Sequence, residues 1–375
     1  MKKIPKYNSE DLFYTLALSY VKGIGSISIK KLLHHFESSK MIFNTSKKEL
    51  LQVLDIGEYT VAQIIKEKKK VLELAEKEFQ FALRNKLEIL FYQDSNYPKH
   101  LKNCPDAPLI LFSKGNYHLE HQKIISIVGT RNKTNYGKKF IQELIYNLKV
   151  YQPVIISGLA LGCDAIAHQA ALENELQTMG VLAHGLDQLY PSKHKKMAEQ
   201  MLENGGLLTE FSSFHNPIRE HFLKRNRIIA GMSQATLIVE SAKKGGAMTT
   251  AKAAFDYNRD VLALPGNIHN PFSQGCNELI KNNIASLVTS AEDVVRLLNW
   301  EEKTSTKKNI QKQLFVHLEE TEQRIYNYLY EYEKGTVDQL SLILQIPMPR
   351  LSVELLNMEL KGVVRSLSGK TYELC

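Results

Sequence analysis

The sequence is poor in cysteine, and its four cysteines, Cys104, Cys163, Cys276 and Cys375, are scattered with no paired spacing. That pattern excludes a zinc ribbon and a disulfide framework, and implies reduced thiols in the cytosol. Long apolar runs are also missing. The opening "MKKIPKYNSEDLFYTLAL" puts charge before only a short mixed segment, and no later stretch is long enough to span a bilayer. A cytoplasmic protein without a membrane partner is expected. No histidine or carboxylate spacing suggests a metal centre, and no cofactor fingerprint is complete. "GGAMTT" lacks the lysine and spacing of a Walker A loop. Ser157 follows Ile155 and Ile156, so no G-x-S-x-G elbow surrounds it and the serine-hydrolase reading fails.

What the chain has is length and positive charge. Its 375 residues exceed one ordinary core and predict two or three domains. Lysine and arginine number 48 against 40 acids, a formal charge of +8. This suits a polyanionic partner, although a lysine-rich surface also serves solubility. Residues 10–82 carry apolar side chains at helical spacing, interrupted by two glycine turns, "VKGIGSISIKKLL" and "VLDIGEYTVAQII". The first matches a helix-hairpin-helix, with Gly23 and Gly25 supplying the turn. The second, with only Gly57, reads as degenerate. A small packing domain with glycine turns explains the segment equally well.

A polar stretch marked by Pro98, Pro105 and Pro108 follows, and argues against a long helix there. Short apolar runs then alternate with helical patterns: "IISIVG", "PVIISG", "TMGVLAHG", "GLLTEF", "ATLIVES" and "DVLALPG". Runs that are continuous rather than alternating indicate strands buried on both faces, hence an α/β, mostly parallel, doubly wound sheet. After Trp300 the polar, basic "EEKTSTKKNIQKQ" reads as a linker. The final segment predicts three helices and a hairpin around Ser368–Gly369, a winged helix. Its third helix, 349–361, has only Arg350 and Lys361 as cations beside Glu354 and Glu359, which favours a protein partner over a DNA major groove. The expected domains are 1–84, 85–298, a linker at 299–312, and 313–375.

Candidate ligand residues gather at strand ends, where open parallel sheets bind ligands. "IVGTRNKTNYG" puts Gly129 and Arg131 after the first strand; it departs from G-x-G, so a dinucleotide is not expected, while the arginine suits phosphate. In "ISGLALGCDAIAHQAAL", Ser157 and Gly158 end a strand. Asp164 and His168 lie four apart on the following helix, where they would pair structurally or act catalytically. "NPIREHFLKRNRIIAGMSQ" crowds Arg219, Lys224, Arg225 and Arg227 around Phe222. Cations interleaved with a ring suit single-stranded nucleic acid, although salt bridges to Glu210, Glu220 or Glu240 would also account for the arginines. "GLDQLYPSKHKKMAEQ" adds Lys193, Lys195 and Lys196, which read equally as a solvated face or as DNA contacts. "SAKKGGAMTTAKAAF" sets a glycine pair at a helix start, a cradle for an anion.

Taken in order, "SIVGTR", "SGLALGCDAIAHQAAL", "GLDQLYP", the run from "FLKRNR" to "LALPG", and "SQGCNELI" resemble the DNA processing protein A (DprA/Smf) family over about residues 85–295. The resemblance implies an extended Rossmann-like domain between an N-terminal helix-hairpin-helix or SAM-like domain and a C-terminal winged helix. It implies a non-enzymatic recombination mediator that binds single-stranded DNA, dimerises through the Rossmann-like domain, and loads RecA during natural transformation. By the family's motifs, Gly129 and Arg131 belong to the first phosphate turn, and Ser157 and Gly158 to the second. Arg219, Phe222, Arg225 and Arg227 form a cationic and stacking wall, Asn226 fixes the local loop, and Gly245, Gly246 and Thr249 offer amides and a hydroxyl. The chain departs from the family at Leu223, Cys163 and His194, the last of which would make one edge of the site pH-sensitive. The alternative is a nucleotide-cleaving phosphoribohydrolase on a related fold. Such an enzyme needs a glutamate beside its glycine turn, and here no acid follows "GGAM" before Asp256.

Overall fold

The computed structural model describes residues 9–120, 123–300, 318–367 and 371–374. The chain divides into two compact units, Met1–Glu301 and Glu302–Cys375. The expected linker falls almost wholly outside the described residues, as do the Ser368–Gly369 turn and Cys375.

Five helices open the first unit: α1 (Ser9–Ser19), α2 (Ser26–His35), α3 (Ser39–Asn44), α4 (Lys47–Leu50) and α5 (Glu58–Arg84). The second glycine turn is not degenerate. Gly25 and Gly57 cap α2 and α5 with nearly the same backbone, φ −95°, ψ 167° and φ −85°, ψ 166°. Two residues earlier Gly23 has φ 81° and Asp55 φ 61°. Aspartate tolerates the left-handed region, so it can stand where the first turn uses glycine.

The sheet is formed by β1 (Glu88–Phe91), β2 (Ile110–Asn116), β3 (Ile124–Val128), β4 (Val154–Ser157), β5 (Thr178–Val181), β6 (Gly205–Thr209), β7 (Ala235–Ile238), β8 (Asp260–Ala263) and β9 (Ser286–Leu287). Its order is β1-β2-β6-β5-β4-β3-β7-β8-β9. All pairs from β6 to β9 are parallel, while β1–β2 and β2–β6 are antiparallel. The six apolar runs are β3 to β8. The proline-marked connection holds only a four-residue helix, α6 (Lys99–Lys102), but it also contains the start of β2, which sequence reasoning missed along with β1 and β9.

Helices cover both faces of the sheet. α7 (Asn135–Leu148), α8 (Cys163–Glu173) and α13 (Ala291–Leu297) pack on Ile125, Ile127, Ile155 and Leu237. α10 (Arg219–Met232), α11 (Gly246–Asp256) and α12 (Gln274–Lys281) pack on Ile124, Val128, Ile156 and Ile238. Neighbouring strand residues thus bury on opposite faces, the physical reason the runs lack polar alternation. α9 (Lys195–Met201) closes a smaller cluster with Leu159, Leu182 and Leu207. The N-terminal helices share a core with Phe91, Leu109, Ile110 and Phe112, so they seat on the β1–β2 end of the sheet. Buried Glu78 of α5 adds a polar tie by accepting from the Ser213 amide (2.9 Å) and hydroxyl (2.6 Å).

The second unit consists of α14 (Glu320–Tyr332), β10 (Lys334–Thr336), α15 (Val337–Leu344), α16 (Met348–Leu360), β11 (Val364–Leu367) and β12 (Thr371–Leu374). Its strands pair antiparallel in the order β10-β12-β11, the winged-helix arrangement. Both cations of its third helix are engaged: Arg350 with Glu354 (3.8 Å) and Lys361 with Glu322 (2.6 Å). The same helix exposes Val353, Leu356 and Leu360.

Candidate nucleic-acid interface

The strand order reverses at β3: the chain adds β4, β5 and β6 on one side, then crosses to β7 and β8 on the other. Beyond the carboxyl ends of β3 and β7 the loops splay apart, which is where such sheets leave a crevice. A cavity of about 700 Å³ opens there. Gly129, Arg131, Arg219, Phe222, Arg225, Asn226, Gly245, Gly246 and Thr249 all line it, joined by Tyr190 and Lys244, which sequence reasoning had not singled out.

Arg225 forms the back of the cavity and is a strut rather than a surface cation, only 3% exposed. Its Nη1 donates to the Gly158 carbonyl (2.6 Å) and to the Val181 carbonyl, tying the ends of β4 and β5 to α10. A side chain at position 158 would strike the guanidinium, with a Cβ lying 2.5 Å from Nη2, so glycine is what lets the arginine reach the strand ends. Buried Asp164, in the first turn of α8, accepts from the amides of Gly158 (3.2 Å) and Ala160 (3.3 Å) through one oxygen. Burial pushes the Asp164 carboxyl up and the Arg225 guanidinium down, the latter to about 10, and each charge partly offsets the other's shift. The pair ties the floor of the cavity to the ends of β4 and β5.

Above this floor sits the half-buried ring of Phe222. The Arg131 guanidinium lies 5.6 Å from its centroid and that of Arg225 5.9 Å, while the Tyr190 ring meets it edge-on at 5.9 Å. Arg131 and Arg219 are exposed at the mouth. Such a ring, flanked by guanidinium groups, presents aromatic surface and positive charge together.

Of the helices that start at this end of the sheet, α7 follows β3 and α11 follows β7, the two strands at the crevice, and their first turns differ. The N-terminus of α7 is already satisfied by the protein's own carboxylate. Glu240, 1% exposed, accepts from the Thr134 amide (3.0 Å) and hydroxyl (2.6 Å) and lies against Gly137. A dinucleotide would place its pyrophosphate there, so the position is filled. The N-terminus of α11 differs. Gly245 spends its amide on Ala242 (2.9 Å), but the first-turn amides of Gly246 and Ala247 have no carbonyl four residues back within the helix. Asn226 fixes this turn by donating to the Thr249 hydroxyl (2.8 Å) and the Gly246 carbonyl (3.3 Å). The Thr249 hydroxyl in turn donates to Gly246 (2.7 Å) and so has no proton left for a ligand.

Several expected positions lie elsewhere. Ser157 is fully buried and donates to the Ile127 carbonyl (2.6 Å), stitching β4 to β3. Gly158 is also buried, its amide and carbonyl consumed by Asp164 and Arg225. Neither lines the cavity. Arg227 turns away from it to Glu210 (2.5 Å) and Asp106, joining α10 to the β6 end and the proline-marked connection. The salt-bridge explanation holds for this arginine, and also for Lys224, 3.4 Å from Glu210. Leu223 leaves α10 unbroken, and Cys163 is a buried thiol that burial pushes up. His194 donates from Nδ1 to the Leu159 carbonyl (3.0 Å) and lines a different hollow.

His168 does not pair with Asp164. Its Nδ1 meets the Thr178 hydroxyl (2.7 Å), which itself donates to the Ile155 carbonyl (2.9 Å), so the ring carries its proton on Nδ1. Burial pushes its pKa down to about 3. An unfolded chain therefore takes up this proton first as pH falls below the usual histidine range. Stability is fully present above that range and is lost on the way down. Between about pH 7 and about pH 5 His168 should cost about 2 kcal/mol. Urea midpoints at the two pH values measure this, and His168→Gln should flatten the difference.

The residues from β1 through Asn299 match the family model of DNA recombination-mediator protein A, over positions 88–299. Positions 315–370 match the DprA winged helix domain. The chain belongs to the DNA recombination-mediator protein A family. The chain is 35% identical to Protein Smf of Synechocystis over 78% of its own length and 73% of that protein's. It is 38% identical to DNA processing protein DprA of Streptococcus pneumoniae over 54% of its own length and 71% of that protein's. The X-ray structure of the pneumococcal DprA superposes with a TM-score of 0.64 at 31% identity, covering 78% of this chain and 98% of that one. A DprA structure from Helicobacter pylori, reported for its single-stranded DNA binding mode, superposes with a TM-score of 0.51 at 30% identity, covering 57% of this chain and 95% of that one. Membership in this family makes the chain a DNA-processing protein of the recombination-mediator kind, and its fold is that of the family.

Proposed function

We propose that the cavity beyond β3 and β7 grips single-stranded DNA without sequence preference, and that the protein delivers this DNA to RecA as a non-enzymatic mediator. The carrying observation is the Phe222 ring with Arg131 beside it, facing the same cavity as the open first turn of α11. A ring stacks an unpaired base, while guanidinium and amide groups hold phosphates. Asp164 is the one acid among the described lining residues, and its carboxylate is turned onto two backbone amides. That supports a grip over the phosphoribohydrolase alternative, since general acid–base chemistry needs a carboxyl free to reach the bond.

RecA loading and natural transformation rest on family membership. A homodimer through the Rossmann-like domain, about residues 85–298, is favoured by the open edge at β9, where Leu287 and Phe255 are exposed around one hollow. The winged helix, about residues 313–375, fits a protein partner, given its neutralised cations and exposed apolar helix face.

The test is a salt-titrated comparison of single-stranded and duplex DNA. Single strands should bind more tightly at every salt concentration. The log of the affinity should fall linearly with log salt, by about 0.7 for each phosphate neutralised. Equal affinity for duplex at matched salt would sink this reading. Release of free base from a nucleoside monophosphate, absent in a matched variant, would establish the enzymatic one.

A further inference from the structure

We infer that a second groove, lying over α8, carries the single strand onward from the strand-end cavity and holds it by phosphate contacts alone. This rests on the single-strand reading of the first cavity. The groove has a volume of about 570 Å³. Lys133 and Lys138 line it from the start of α7, Lys193 and Lys196 from the segment entering α9, and Ile166 of α8 belongs to its lining.

The linings of the two hollows adjoin in the chain at the first turn of α8, where Asp164 lines the cavity and the next residue, Ala165, lines the groove. Their walls draw on the same two loops as well. Lys133 follows Arg131 by two residues, and Lys193 follows Tyr190 by three. A strand leaving the cavity between Arg131 and Tyr190 enters the groove directly.

The charge pattern selects the ligand. The four groove lysines are exposed, and among the described residues none has a carboxylate within ion-pairing distance. Exposed lysines without a carboxylate partner occur elsewhere among the described residues, Lys66, Lys69 and Lys70 included, so what sets the groove apart is that four of them line one hollow. Glu173 is the one acid in the lining, and it accepts from Gln169 (2.9 Å). Unpaired like charges lining a single channel repel one another unless a polyanion lies between them. The half-buried His194 imidazole, with its Nδ1 spent on the Leu159 carbonyl, is the one ring in the lining, and no phenyl, phenol or indole face is offered to bases. A phosphate backbone continuing from the cavity satisfies each of these features.

The experiment compares oligothymidylates of about 4 and about 16 nucleotides, which span the range of a short single-strand site and its extension. The variant is Lys133→Gln/Lys193→Gln/Lys196→Gln, and the control is Lys66→Gln/Lys69→Gln/Lys70→Gln, with equal charge loss on the exposed face of α5. The groove variant should bind the short oligomer within about twofold of the unchanged protein, but lose about tenfold on the long one. Its salt slope for the long oligomer should fall by about 2, three contacts at about 0.7 each. Equal losses on both lengths, no loss on the long oligomer, or the same loss in the control would overturn the groove. Failure of the unchanged protein to bind either oligomer would instead remove the single-strand reading itself.

Discussion

Arg225→Ala is expected to destabilise the fold by about 3–5 kcal/mol, well beyond the loss of one surface cation. The truncation leaves two carbonyls, Gly158 and Val181, without their donor, and leaves the Asp164 charge buried without the guanidinium that offsets it. A lower denaturant midpoint at unchanged slope reads this directly. DNA affinity should fall with it, because the floor under Phe222 loosens. The second substitution Asp164→Asn separates the causes. One carboxylate oxygen takes both the Gly158 and Ala160 amides, and a carboxamide oxygen can do the same without charge. Arg225→Ala/Asp164→Asn should therefore recover about half of the lost stability. Native stability in the single variant, with binding lost, would instead make Arg225 a direct phosphate contact.

The same pair shows what a sequence conveys about such a site. The strands β3 to β8 were legible because each is covered by helices on two faces, which forces apolar residues into unbroken runs. β1, β2 and β9 were not. Two of them are antiparallel additions, one emerging from the proline-marked stretch, and β9 has only two residues. At the site, the residue types were legible and their directions were not. The segment containing Arg219, Phe222, Asn226 and Arg227 reads as one cationic cluster until it is wound into α10. At about 100° per residue, Arg219, Phe222 and Asn226 fall near one another, whereas Arg227 turns well aside and Lys224 to the far face. That periodicity was available from the sequence and sets Lys224 apart, but Arg225 turns aside about as far as Arg227 on the opposite side, so it does not tell which of the two lines the cavity. Ser157 and Glu240 were beyond reach, because the Ile127 carbonyl and the α7 N-terminus that hold them are brought close only by folding. Between the starts of α7 and α11, that of α11 is the open one because Glu240 has filled the other.

Phe222 and Arg131 should together set most of the affinity for single-stranded DNA, by different physics. Phe222→Ala removes a stacking face, which costs about 1–3 kcal/mol, or about 5- to 150-fold. Stacking releases no counterions, so the salt slope should stay as it was. Arg131→Ala removes one phosphate contact, so the slope should drop by about 0.7 and affinity should fall for every sequence alike. The two losses should not add. Arg131 lies 5.6 Å from the Phe222 ring centroid and is held in place partly by it, so removing the ring also releases the arginine. The double variant should therefore fall short of the summed losses by at least about 0.5 kcal/mol, the scale of coupling between touching side chains. Salt titrations of all four proteins on one oligothymidylate measure both quantities. A slope change in Phe222→Ala, or an unchanged slope in Arg131→Ala, would exchange or remove these roles. Strict additivity would mean that the ring and the guanidinium contact the strand independently.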